Sequence, residues 1–105
     1  MNLTNTPCRR RKGASIYAVM GSASIQPGRE DEGTEHLKSQ TIPMVKQAPG
    51  VIAGYWLAPK DGRGWGIVLF ETEEGARAGA QMADQDLPDF VTMDWVEVQE
   101  VVASF

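Results

Sequence analysis

A single histidine, His36, lies in a helix-prone stretch with Glu32 one turn before it and Glu35 beside it. An imidazole with a carboxylate four residues back is a candidate catalytic base, held in one orientation by an acid on the same helix face. Read without chemistry, the same spacing gives a half-exposed histidine among surface charges. A metal-binding pair is the other functional reading, but one histidine and the lone Cys8 supply too few ligands for a zinc site unless a dimer adds more, so no metal is expected. Asp94 sits between Met93 and Trp95 in an apolar segment. Turned inward it would be a buried carboxylate with a raised pKa; turned outward it would be the polar member of an alternating strand. Gly62-Arg63-Gly64-Trp65-Gly66 contains a glycine pair of the kind that cradles phosphate, but a strand follows it where a phosphate loop needs a helix.

The elements that must position these residues are legible from Gln47 to Ala83. Ala48-Pro49-Gly50 stops a helix, because proline cannot continue one and glycine accepts the left-handed conformation that closes it. Val51–Leu57 is short, β-branched and aromatic, hence a strand. Pro59-Lys60-Asp61-Gly62 predicts a tight hairpin turn into a returning strand, Trp65–Phe70. Thr72, followed by Glu73 and Glu74, caps a second helix running to Asp84, with Ala76, Gly79, Ala80 and Ala83 on a small-residue face suited to close contact with a sheet. Upstream, Ser15–Ile25 is a strand, and Glu30, Asp31 and Glu32 open a first helix. Leu37, Thr41, Met44 or Val45, and Ala48 form its apolar stripe. Gly33 weakens that helix, and Pro43 predicts a kink or break just before it. A last strand runs from about Val91 to Val102.

The order β-α-β-β-α-β is that of an α+β, ferredoxin-like sandwich: a four-stranded antiparallel sheet with both helices on one face. Strand alternation sets Trp65, Ile67 and Leu69 against Val68 and Phe70, and sets Ile52 and Trp56 against Val51, Tyr55 and Leu57. Both sheet faces are therefore apolar although helices cover only one. A second copy of the sheet is the simplest cover for the other, which predicts a homodimer.

Composition bounds the rest. A chain of 105 residues is one domain with a modest core. Residues 1–14 hold Arg9, Arg10, Arg11 and Lys12 and no acid, so with −4 overall the remainder carries −8. The expected division is a disordered basic tail, 1–14, and a single folded domain, 15–105. So acidic a folded part argues against nucleic acid as the partner. No apolar run approaches the length of a membrane helix. The basic run followed by Ile16–Met20 imitates a secretory signal, but its apolar part is only about five residues against the 7–15 required, so a cytoplasmic protein is expected.

Several of these residues resemble a known group. Gln47-Ala48-Pro49-Gly50-Val51, Gly54-Tyr55-Trp56, the turn Asp61-Gly62-Arg63-Gly64 and the run from Val68 to Arg77 are similar to small bacterial proteins of the dimeric α+β barrel superfamily, which includes the antibiotic-biosynthesis-monooxygenase-like proteins. The resemblance spans about Ile16 to Val102. It implies two sheets facing each other across a two-fold axis, with a pocket between sheet and helices in each subunit. Haem-degrading members use an asparagine on the first strand, a tryptophan on the third and a histidine on the second helix. Trp65 matches the tryptophan, but the first strand has no asparagine and the second helix no histidine. Cofactor-free, quinone-forming members use a polar, aromatic pocket, for which Tyr17, Tyr55, Trp65 and Trp95 are the candidates. The expectation is a site between the sheet and the imperfect first helix, with His36 catalytic, those four aromatic residues binding a small aromatic substrate, and no cofactor. The alternative is a non-enzymatic dimer that binds a ligand or serves a structural role.

Overall fold

The computed structural model describes residues 15–83, 85 and 87–105. The basic segment 1–14 lies outside them. The elements are β1 (Ile16–Ile25), α1 (Glu30–His36), a π-helical turn (Leu37–Thr41), α2 (Ile42–Val45), β2 (Val51–Lys60), β3 (Arg63–Phe70), α3 (Glu73–Met82) and β4 (Val91–Val101). The strands form one antiparallel sheet in the order β2-β3-β1-β4, as expected of the ferredoxin-like sandwich.

The hairpin between β2 and β3 turns on Asp61 and Gly62, whose φ angles of 55° and 74° are the pair a two-residue, primed turn requires. Both strands run further into the turn than their apolar cores suggest, so β2 includes Pro59 at the sheet edge, where no ladder hydrogen bond is lost. Gly50, at φ 79°, closes the preceding helix, and its carbonyl accepts from the Glu71 amide at 2.8 Å. Thr72 caps α3 as predicted, its Oγ1 accepting from the Gly75 amide at 2.9 Å.

The two helical layers meet the sheet differently. Ala76 is fully buried, and a Cβ on Gly79 would lie only 2.7 Å from the Phe70 ring, so α3 sits directly on the strands. Val19, Phe70 and Ala76 form the small core there, with Tyr17, Val51, Val68, Ala80, Val96 and Val98 packed around them. None of the residues in α1, the π turn or α2 is fully buried. That first helical run stands off the sheet.

The run is irregular just before Pro43, as the sequence predicted, but it is not broken. The chain stays helical, and the strain is absorbed one turn earlier, where the Ile42 amide donates to the Leu37 carbonyl five residues back. The wider turn ends immediately before the residue that lacks an amide, where a regular ladder could not continue.

One strand-phase expectation is also corrected. A register irregularity between Val51 and Ala53 places Val51 opposite Phe70 and Trp56 opposite Gly66, so Val51 and Trp56 share the helix-covered face. Tyr55 and Leu57 lie on the bare face, 60% and 63% exposed. A bulge switches sides without any mark that simple alternation reveals.

Candidate functional site

Beneath the first helical run lies a cavity of about 220 Å³. Its floor is a patch of sheet almost without side chains, because Gly21 pairs with Gly66 and Ala23 with Gly64 across β1 and β3. Trp56 bounds one side, its indole lying against Gly54 and Gly66, where added Cβ atoms would stand 2.8 and 2.7 Å from the ring. Met93 and Val96 on β4 bound the other side. The roof is the stripe expected to pack as core. Leu37, Thr41, Met44, Val45 and Ala48 all border this space, as do Gly33, Thr34 and His36, and Ala48 also packs against the core as expected. The π turn falls in the middle of the roof, and such turns recur at functional sites.

His36 is half-buried and lines the cavity, and it is the only titratable side chain among the described lining residues. The remaining polar contributions are few, chiefly Thr34 and Thr41. Such a site offers one group able to move a proton in otherwise apolar surroundings. It suits an uncharged molecule carrying one or two polar atoms. No cluster of potential metal ligands occurs among the described residues.

The aromatic candidates divide. Trp65 borders the cavity through its strand, but alternation with Gly64 and Gly66 turns its ring to the bare face, where it meets Trp95 edge to face at 5.9 Å between centroids. Trp95 and Tyr55 lie on that same bare face and do not line the cavity, while Tyr17 packs against the core beside it. Sequence reasoning missed Trp56, the aromatic wall of the cavity, because the irregularity in β2 reversed its phase. The signal that could have found it is the pair Gly54 and Gly66, which leaves room for a large ring to lie flat on the sheet.

Asp94 is the extra residue in a bulge of β4, between Trp95 opposite Ser22 and Met93 opposite Ala23. Its carboxylate accepts from the Ser24 hydroxyl at 2.8 and 2.9 Å, and the Arg63 guanidinium lies 3.8 Å away. It belongs to the bare face and not to the cavity. Nearby, Ser22 is 1% exposed between Trp65 and Trp95, and its hydroxyl has no hydrogen-bond partner among the described residues.

At one end, the turn before the first helix is tied to the turn before β4. The Gln26 amide donates to the Phe90 carbonyl at 3.0 Å, and the Arg29 guanidinium lies 3.9 Å from the centre of the Phe90 ring while also pairing with Glu32. The hydrogen bond and charge of Arg29 lower the Glu32 carboxyl below its ordinary value.

Neither a known family profile nor a curated protein sequence matches the chain. Solved structures do. A putative antibiotic biosynthesis monooxygenase from Chloroflexus aurantiacus superposes with a TM-score of 0.64 at 14% identity, over 87% of this chain and 97% of that one. A heme-degrading protein from Mycobacterium tuberculosis gives 0.64 at 18% identity, over 89% and 98%. A monooxygenase from Streptomyces coelicolor in complex with the ligand Nanaomycin D gives 0.55 at 16%, over 88% and 89%. At these identities the likeness establishes the fold alone.

Proposed function

From the fold it shares with the antibiotic-biosynthesis-monooxygenase-like proteins, we propose that the chain binds a small, uncharged, largely aromatic molecule in the cavity under its first helix. The observation that carries this reading is the cavity itself: apolar, floored by glycine, walled by Trp56, with His36 as the one titratable group among its described residues. A cavity of about 150 Å³ accepts benzene, so one of about 220 Å³ suits a substituted ring or two fused rings. Pockets for drug-sized ligands run to roughly 300–1,000 Å³, and a tetrapyrrole calls for more room than this site offers. The absence of the asparagine and second-helix histidine argues in the same direction, against heme degradation.

The chemistry proposed for the site is cofactor-independent oxygenation of a phenol. His36 takes the hydroxyl proton, which makes the ring electron-rich enough to give up electrons to dioxygen. One oxygen atom then enters the ring, which leaves as a quinone, and the other departs as water. Both electron pairs come from the substrate, so no external reductant is required. Oxygen uptake with electron-rich phenols tests this. His36→Ala should lower turnover about 10²–10⁴-fold while leaving phenol binding in place. Saturable binding without oxygen uptake in the unaltered chain would overturn the oxygenase step.

A second reading rests on the methionines. Met44, Met82 and Met93 line the cavity, and flexible thioethers suit a binding pocket that adapts to its ligand better than one that holds a reacting geometry. Binding without turnover would favour this non-enzymatic reading.

The same proposal includes a homodimer. Tyr55, Leu57, Trp65 and Trp95 are all at least 38% exposed on one sheet face, an apolar surface that a second copy would cover.

A further inference from the structure

Ten glycines lie among the described residues, and eight have a visible structural reason. Gly28, Gly50 and Gly62 have positive φ. Gly21, Gly54, Gly66, Gly75 and Gly79 are places where a Cβ would come within 3.0 Å of another atom. Gly33 and Gly64 have neither reason. Both have ordinary backbone angles, and a Cβ on either would meet its nearest neighbour at 3.9 and 3.7 Å, ordinary contact distances. Each nevertheless carries a cost, since glycine weakens the interior of a helix or a strand.

These two glycines share a location. Gly33 is in the roof and Gly64 in the floor, and both line the cavity. The side chain that either lacks would touch the same atom, Ile25 Cδ1. Side chains are therefore missing from opposite walls at one place, beside one methyl group, with no demand from the fold. Folding alone gives no reason for this gap, whereas a ligand that occupies it does.

We propose that the space between Gly33 and Gly64, beside Ile25, is the subsite that receives the slender apolar end of the ligand and limits its size. This rests on the reading of the cavity as a binding site and adds which residues set its specificity. The surroundings at this end are hydrocarbon, with Ile25 and the Phe90 ring nearest Gly33, so the group received is an alkyl end or the edge of an aromatic ring.

Calorimetric titration of the full chain with 2-naphthol and 4-propylphenol tests the proposal, alongside thermal melts without ligand. The unaltered chain should bind at least one probe saturably. Gly33→Ala and Gly64→Val should melt at or above the temperature of the unaltered chain and bind that probe at least about tenfold more weakly. Gly64→Ala should fall between. Equal affinity in the variants would overturn the subsite and leave the binding site standing. Variants that melt well below the unaltered chain would show that the glycines serve the fold, which overturns the subsite equally. Failure of both probes to bind the unaltered chain would remove the proposed function together with the subsite.

Discussion

At the scale of single residues, the small core makes sharp predictions. Gly79→Ala pushes a methyl to 2.7 Å from the Phe70 ring, where α3 and β3 are already in contact, and should cost roughly 1–3 kcal/mol in denaturant unfolding. Unchanged stability would mean that α3 can lift from the sheet. Ser22 points the other way. A buried hydroxyl without a partner costs about 1–3 kcal/mol, so Ser22→Ala should stabilise the chain or leave it unchanged. A clear loss would show that the hydroxyl finds its partner elsewhere, a second copy on the bare face being the first place to look. The Arg29–Glu32 pair is exposed and gives only a direction. The Glu32 pKa is lowered on folding, so the pair's contribution is present above the ordinary carboxylate pKa and fades as pH falls through the lowered one. What the sequence told at this scale was uneven. Asp61-Gly62, Thr72 and Gly50 were readable because each solves a local backbone problem. The position of Trp56 was not, because it depends on a bulge set by pairing with another strand.

At the scale of elements, the first helical run carries the most consequence for the site. Its apolar stripe was legible from spacing alone, but spacing cannot say whether a stripe packs or merely faces a space. The distance between helix and sheet decides that, and the glycines of the floor do not bring the run down. Pro43 announced the irregularity just before it, and of the two forms expected, a kink or a break, the helix does not break but widens. Pro43→Ala restores the missing amide and should allow the π turn to relax to a regular ladder. Each residue before it would then rotate relative to the floor. Ligand affinity should fall severalfold while thermal stability rises, with changes in amide exchange centred on Leu37–Thr41. Unchanged exchange across those residues would mean that the π turn is held by something other than the proline.

At the scale of the whole molecule, the bare sheet face should bring two chains together. Light scattering at micromolar concentration should give about twice the chain mass of 11.5 kDa, and Leu57→Asp, exposed on that face, should return it to the single-chain value. A monomer in the unaltered protein would remove the barrel arrangement while leaving the ferredoxin-like fold. The fold class was readable because order, turns and caps are local signals that agree with one another. The cavity was foreseen only as a weakness in the first helix, and most aromatic residues assigned to it belong to the other face. The ligand should sit in this cavity and not on the bare face. Amide and indole chemical shifts recorded during titration with 2-naphthol test that most directly. Binding in the cavity should give saturable shifts at Gly33, His36, Gly64, Gly66 and the Trp56 indole. Shifts confined to Tyr55 and Trp95, or none at saturating ligand, would rule that out.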